Sequence, residues 1–156
     1  MKTVFKFTVF SAVLLVLAAG CRNKEKFFTL EGTEWKLVGQ VDVLSGMYYT
    51  TAYPPLNCVQ CYTLKFDNNR SNCNEHDLRS FSTFSTTNLF TGCYSIDYET
   101  GKIQVLNFEG TDNPEHGAGS VWRVIFPLIG SFSLEGPFLR LYRIEGDGFW
   151  LFQLIE

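Results

Sequence analysis

The sequence predicts a mainly β protein, in which a single antiparallel sheet curls or closes into a small barrel and carries one short helix. Three observations predict this class. Apolar and polar residues alternate through short segments, Gly- and Pro-containing turns separate those segments, and long helical periodicity is scarce. Short strands at regular spacing are typical of a curled sheet or barrel. The 15 Phe, 7 Tyr and 3 Trp supply a large core for one domain.

Three alternating segments predict the first half of the sheet. Residues 34–42 (EWKLVGQVD), 62–67 (YTLKFD) and 94–98 (YSIDY) each place alternate apolar side chains on one face. The phrase ETGK, 99–102, contains glycine and predicts a hairpin turn into the strand IQVLNF. The segments 43–60 and 67–88 show no regular pattern, so we expect them to be irregular.

The C-terminal part predicts three more strands and the helix. The strands are SFSLEG, FLRLYRI and FWLFQLI, joined by tight turns at 135–137 (EGP) and 145–148 (EGDG). SVWRVIF predicts the helix, which Pro127 ends, although its Val and Ile content also permits a strand. The helix would present an apolar face made of Val121, Val124, Ile125 and Leu128.

The N-terminus resembles a bacterial lipoprotein signal peptide. Lys2 and Lys6 give the N-terminus a short positive region. The apolar stretch that follows, from Phe7 to Ala19, is too short for a stable membrane span. The stretch ends in LAAGC, which resembles the lipobox, and this resemblance implies cleavage before Cys21 and lipid on its sulfur. The alternative is an ordinary secretory peptide with Cys21 as a spare thiol. We therefore expect a signal peptide at 1–20, a lipidated tether at 21–29 and one β domain at 30–156.

The charge of the expected mature chain excludes one class of partner. Without Lys2 and Lys6, 11 basic side chains face 16 acidic ones, a formal charge of −5. A nucleic-acid-binding face needs a basic patch, so we expect no nucleic-acid partner. Arg22, in place of the Asp that retains many lipoproteins at the inner membrane, favours the outer membrane.

Several phrases resemble those of META-domain, HslJ-like lipoproteins. LEGTEWKLVG (30–39) resembles the Leu-x-Gly-Thr-x-Trp opening of that family, and NLFTGCY (88–94) resembles its Asn-x-Phe-x-Gly-x-Tyr signature. YTLKFD is similar to its second strand, and the C-terminal strand phrases are similar to its closing strands. Many members carry Gly-Cys-Asn where this chain has TTN, 86–88. The resemblance implies a β-rich domain with one helix and no agreed enzymatic activity. A calycin-like barrel is the alternative topology.

Four cysteines remain once Cys21 is assigned to lipid, and an even number in an exported domain favours disulfides. We expect Cys58–Cys61 to close a small loop before a strand. We expect Cys73–Cys93 to join the 67–88 segment to the next strand.

Two other interpretations of these cysteines compete. Cys58, Cys61, Cys73 and His76 have zinc-like spacing, but a six-residue strand between them extends about 20 Å and leaves five residues to return. A thioredoxin-type dithiol needs its first cysteine at a helix N-terminus, whereas Cys61 leads into a strand. We therefore expect no metal and a structural role for the pair.

Other candidate chemistry is sparse. His76 and His116 lie in no catalytic motif. Glu109, Asp112 and Glu115 occupy a Gly-rich segment that most simply forms a solvated turn. The segment GMYYTTAYPPL, 46–56, gathers three Tyr, which predicts either a ligand or partner surface or a loop that packs its rings over a barrel end.

These observations predict a non-enzymatic, lipid-anchored protein of the bacterial envelope without a cofactor. It would contact the membrane through its anchor, and another envelope protein or a wall or surface polymer through its domain. One alternative is a small-ligand binder whose sheet encloses an apolar site. Another is an inhibitor of a periplasmic hydrolase that acts through an exposed loop.

Overall fold

A computed structural model describes residues 28–42, 47–49, 58–68, 73, 78–115, 119–146 and 148–155. The expected signal peptide, Cys21 and both histidines lie outside these residues, as does most of the Tyr-rich segment 46–56. Within the described part of the chain, no helix is long and apolar enough to cross a membrane.

The described residues form nine strands, one α-helix and one short 3-10 helix. The helix α1 spans Gly119–Ile125 and continues into the 3-10 helix Phe126–Leu128. The strands are β1 Glu34–Asp42, β2 Met47–Tyr49, β3 Thr63–Phe66, β4 Arg79–Phe84, β5 Leu89–Asp97, β6 Lys102–Gly110, β7 Ile129–Glu135, β8 Phe138–Arg143 and β9 Gly148–Leu154.

Eight of the strands close into an antiparallel barrel in the order β1-β3-β4-β5-β6-β7-β8-β9, because β9 pairs back onto β1. The short β2 pairs with the far part of β1. The predicted fold class is confirmed, and the sheet is a closed barrel rather than an open curled sheet. Closure removes the exposed edges that an open sheet would leave.

Local breaks in register let the sheet curve. Pairing shifts between Leu37 and Gly39, between Thr91 and Cys93, and between Ile129 and Ser131. Such bulges bend a strand and increase its twist. At the second of them, a Cβ on Gly92 would lie 2.8 Å from the ring of Phe81. Glycine is therefore needed where β5 passes over that ring.

Aromatic side chains fill the barrel interior. Trp122 from α1 stacks on Trp150, with ring centres 4.8 Å apart, and contacts Tyr62 at 5.1 Å. Phe126 stacks on Phe108 at 5.6 Å. The cavity left in the middle of the barrel has a volume of about 10 Å³, which is room for one water molecule at most.

The structure corrects three predictions of secondary structure. Residues 67–88 are not wholly irregular, because Arg79–Phe84 forms β4, and residues 43–60 include β2. Tyr98 lies in the β5–β6 turn rather than inside the strand.

The predicted apolar face of the helix is correct for Ile125, which packs partly buried against the core, and wrong for Val124 and Leu128, while the side chain of Val121 lies outside the described part. Trp122 and Phe126 are the fully buried residues of the helical segment, while Val124 is 65 % exposed and Leu128 is also exposed. The aromatic pair reaches deeper into a barrel than β-branched residues do, so its position decides which side faces the core.

The barrel has two distinct ends, which we name by a buried residue at each. At the Leu30 end, Leu30 is buried, the backbone N–H of Gly32 donates to the carbonyl of Phe66, and the β5–β6 and β7–β8 turns lie nearby. At the Cys61 end, the N–H of Tyr62 donates to the carbonyl of Ser85, and α1 begins beside the β4–β5 loop.

We expect Trp122→Ala to lower the free energy of unfolding by about 3–5 kcal/mol, because it empties the largest ring from the core and removes the indole N–H bond to Thr83 Oγ1. Val124→Ala, on the exposed side of the same helix, should change it by less than about 0.5 kcal/mol. Guanidinium unfolding followed by circular dichroism measures both. A loss below 1 kcal/mol for the tryptophan variant would contradict the packing described here.

Candidate functional site

The structure confirms both expected disulfides. Cys58 and Cys61 are bonded with their Cα atoms 5.4 Å apart, and Cys73 and Cys93 are bonded with theirs 5.9 Å apart. Both separations lie within the range that a disulfide permits. With all four sulfurs in disulfides, none is a thiolate ligand for zinc. Among the described residues, no three His, Cys, Asp or Glu side chains are grouped so that they could hold a metal ion.

The two disulfides differ in environment. Cys73 and Cys93 are buried in a small cluster with Leu78. They close a loop with a sequence separation of 20, which the chain-entropy model values at about 3 kcal/mol. Cys58–Cys61 has a separation of only 3, worth about 2 kcal/mol in the same model.

The Cys58–Cys61 loop, residues 58–61, projects from the barrel. Cys61 is 2 % exposed, Cys58 is half-buried, and Val59 at the tip is 89 % exposed. The ammonium of Lys36 donates hydrogen bonds to the carbonyls of Cys58, Val59 and Cys61 at 3.2, 2.7 and 2.5 Å. Burial lowers the pKa of Lys36. One side chain from β1 therefore holds the whole loop against the barrel.

A second constellation surrounds Glu115 and was not predicted. Its carboxylate accepts hydrogen bonds from the hydroxyls of Ser85 and Thr86 and, at 2.7 Å, from the side-chain amide of Asn88. A Cβ on Gly119 would collide with this carboxylate, so α1 can begin here only with glycine. The expected solvated turn is therefore wrong for Glu115, which joins the β4–β5 loop to the start of the helix.

The protonation state of Glu115 follows from these donors. Burial raises its pKa, but the hydrogen bonds from Ser85, Thr86 and Asn88 lower it by more, so the pKa lies below the ordinary value for glutamate. A general acid at neutral pH needs the opposite shift. The arrangement therefore suits a fixed anion better than a proton donor.

Asn88 also forms hydrogen bonds to the segment that follows β6. Its amide oxygen accepts from Thr111 Oγ1 at 2.8 Å and from the backbone N–H of Asn113 at 2.7 Å, while its amide nitrogen donates to the Asn113 carbonyl. Because Asn88 is buried, these bonds replace the water it loses. The first residue of the NLFTGCY phrase thus has a structural role, as does Gly92 at the bulge.

A shallow cleft of about 370 Å³ lies beside Glu115. Arg123 borders it, donating to Asp112 at 3.1 Å and to the carbonyl of Thr111 at 2.8 Å. Its guanidinium carbon lies 5.5 Å from the ring centre of Phe90. Arg123 is thus already paired, and Phe90 is buried, so the described residues of the cleft offer neither a free cation nor an aromatic platform.

The Leu30 end carries a third polar group. The hydroxyl of Tyr98 accepts from the backbone N–H of Leu30 and donates to Glu31, which also forms an ion pair with Arg79. Burial raises the pKa of Tyr98, and the hydrogen bond to Glu31 raises it further. Neutral Tyr98 therefore fastens the segment preceding β1 to the barrel.

Sequence reasoning found the cysteines but not the polar groups. An even number of cysteines can be counted from the sequence alone, and it predicts disulfides in an exported domain. No spacing rule marks Glu115, whose donors come from a loop 27 to 30 residues earlier in the chain. Two of the three tyrosines of 46–56, Tyr48 and Tyr49, have their backbone in β2. Tyr53 lies outside the described residues.

Comparison with known proteins supports the fold and nothing beyond it. No family model and no curated protein matches the chain. A protein from Burkholderia xenovorans solved by NMR is similar in structure, with a TM-score of 0.60, 20 % sequence identity, and coverage of 81 % of this chain and 83 % of that one. A crystal structure of a DUF4847 family protein from Bacteroides vulgatus is similar with a TM-score of 0.55, 12 % identity, and coverage of 84 % and 96 %.

We expect Glu115→Gln to lower the free energy of unfolding by about 1–3 kcal/mol at pH 7, because the variant loses one of two acceptor oxygens among three donors. Glu109→Gln, on an exposed position of β6, is the matched control. The folded pKa of Glu115 is lowered, so its stabilisation is present above the unfolded pKa of about 4.3 and is lost as the pH falls through the folded value. Denaturant unfolding at pH 7 and at pH 3 should show the difference between wild type and variant shrinking at the lower pH. An equal difference at both pH values would contradict it.

Proposed function

We propose that the protein is a lipid-anchored, non-enzymatic component of the bacterial envelope that contacts a partner through the Cys61 end of its barrel. The anchor is proposed from LAAGC and the apolar stretch before it. The contact is proposed from the separation between the tether and the exposed Val59.

Phe28, the first described residue, and the exposed loop lie at opposite ends of the barrel. Leu30 is fully buried at one end of the barrel, so the chain before Phe28 leaves from there. Six residues lie between Cys21 and Phe28, so the two Cα atoms are at most about 25 Å apart when the chain is extended. A lipid on Cys21 would hold the Leu30 end near the membrane and direct Val59 away from it.

The filled interior favours surface contact over enclosure of a ligand. Small-molecule sites are usually cavities of about 300–1,000 Å³. The space inside this barrel is about 10 Å³ and is lined by packed rings, among them Phe66, Phe81 and Phe126. The alternative in which the sheet encloses a small apolar ligand therefore has little support in the described residues.

The surface at the Cys61 end also suits the third alternative, inhibition of an envelope hydrolase. A disulfide and Lys36 hold the loop rigid, and a rigid loop binds with less loss of conformational entropy than a mobile one. The identity of the captured partner distinguishes a hydrolase from a structural protein or a polymer.

Cys21→Ser should abolish labelling by a fatty-acid analogue and move the protein from the membrane fraction to the soluble fraction, because the sulfur that carries the lipid is gone. The double variant Cys58→Ser/Cys61→Ser is the control, since it removes two sulfurs but should keep the label. Labelling that persists after the change at Cys21 would refute the anchor.

A photo-crosslinking amino acid in place of Val59 should give one discrete adduct in intact cells, because that side chain is the most exposed apolar group at the Cys61 end. The same group in place of Glu99, in the exposed turn at the Leu30 end, should not give it. Adducts at both positions, or at position 99 alone, would contradict the proposed contact surface.

A further inference from the structure

We infer that the Cys58–Cys61 disulfide is a thiol–disulfide exchange site, at which a thiolate of a dithiol protein attacks Cys58 Sγ and Cys61 is the leaving group. This activity goes beyond the proposed contact function and does not depend on the anchor. It is carried by the position of the two sulfurs, by the ammonium of Lys36, and by the contrast with the second disulfide.

Exposure decides which sulfur is attacked. Cys61 is 2 % exposed and lies beneath the loop, whereas Cys58 is half-buried and next to the open tip at Val59. Exchange rates depend on access and on which sulfur is attacked. A thiolate can approach Cys58 from outside, and the displaced sulfur is then the inner one.

The surroundings of Cys61 stabilise it as a leaving group. Lys36 donates to the carbonyls of Cys58 and Cys61, so the loop that holds the departing sulfur carries a positive charge, which offsets the cost of forming a thiolate at the buried Cys61. A nearby cation lowers a thiol pKa, and a leaving thiol of lower pKa departs faster. Once protonated, the Cys61 sulfur lies 3.6 Å from the Thr86 carbonyl, which can accept its S–H.

The fold does not depend on this bond. Backbone hydrogen bonds from Tyr62 to Ser85 and from Leu37 to Tyr62 hold the start of β3 after the sulfurs separate. The bond closes a loop with a separation of only 3 residues, while Cys73–Cys93 closes one of 20 and is buried on both sides. The first disulfide can therefore open in a folded barrel through its half-buried Cys58, whereas both cysteines of the second are buried, so the second is the less accessible.

The exchange balances with a dithiol protein as the reductant. Its first thiolate forms a bond to Cys58 Sγ as the Cys58–Cys61 bond breaks, and Cys61 leaves with the electron pair. Its second thiolate then attacks its own sulfur in the mixed disulfide, which releases Cys58. Two electrons pass to the barrel protein, the partner becomes a disulfide, and both released thiolates take protons from water. The reverse sequence, with an oxidised partner, restores the bond.

The first test traps the mixed disulfide. Purified full-length protein in detergent is incubated with a thioredoxin-class protein whose second active-site cysteine is replaced by serine, so that the intermediate cannot resolve. Peptide mapping should place the partner on Cys58. A bond to Cys61, Cys73 or Cys93, or no mixed disulfide at all, would overturn the inference.

The second test measures selectivity with the intact dithiol protein. Alkylation and mass spectrometry over time should show the Cys58–Cys61 pair reduced at least about tenfold faster than Cys73–Cys93, because only the first is accessible. Near-UV circular dichroism should stay native during this phase. Equal rates for the two disulfides, or loss of the native signal in step with reduction, would contradict it.

Variants at Lys36 test the leaving-group role. Lys36→Met should slow reduction of Cys58–Cys61 by about threefold, because the loop then lacks the cation that favours departure of the Cys61 sulfur. Lys36→Arg should restore most of the rate, and Lys65→Met, on the exposed side of β3, should leave it unchanged. A merely structural role for Lys36 would loosen the loop and raise the rate, which is the opposite result.

Discussion

Closure of the barrel depends on the aromatic stack that α1 and the 3-10 helix insert between β6 and β7. Those two strands share a single register pair, Lys102 with Ser131, whereas every other neighbouring pair in the barrel shares at least three. Phe126 stacks on Phe108 of β6 and on Phe81 across the interior. Phe126 also contacts Trp150 of β9 at 5.7 Å, so ring packing joins β4 and β6 to β9 across the interior where β6 and β7 share few ladder hydrogen bonds.

The polar group around Glu115 follows from that insertion. A helix at a barrel end needs a connecting segment from the preceding strand. Here that segment begins after β6 and includes residues 111–115. Ser85, Thr86 and Asn88 supply the donors that a partly buried carboxylate needs. Networks of this kind stabilise a fold only when their members are all paired, and this one gives Asn88 partners on both its oxygen and its nitrogen.

The sequence was sufficient for the elements whose signal is local. The alternation in YTLKFD correctly assigns Tyr62, Leu64 and Phe66 to the interior, because period-two patterning depends only on neighbours along the strand. The turns at 99–102 and 135–137 were predicted from their own Gly and Pro residues, which are also a local signal. Cysteine number and strand length together selected both disulfides.

The strand β4, the buried face of the helix and the position of Glu115 depend on contacts between distant parts of the chain. β4 was missed because RSFSTF shows no alternation of apolar and polar residues: Phe81 and Phe84 are three positions apart, and Ser80 and Thr83, on opposite faces of the strand, are both buried. The helix face was partly misassigned because the barrel selects the residues that reach its axis. Glu115 was misassigned because its partners come from another loop.

The pairing of β1 with β9 has a consequence for how an exported chain folds. Trp35 pairs with Leu154, so the first barrel strand cannot complete its hydrogen bonds until nearly the whole sequence is present. Contacts this far apart in sequence slow folding, because the entropy of loop closure is lost before the contacts form. If the chain crosses a membrane from its N-terminus, as we propose, the side of β1 that pairs with β9 therefore stays unpaired until residues 148–154 have emerged, although β3 can already pair with the other side. Protection from aggregation during that interval is a requirement that the topology itself imposes.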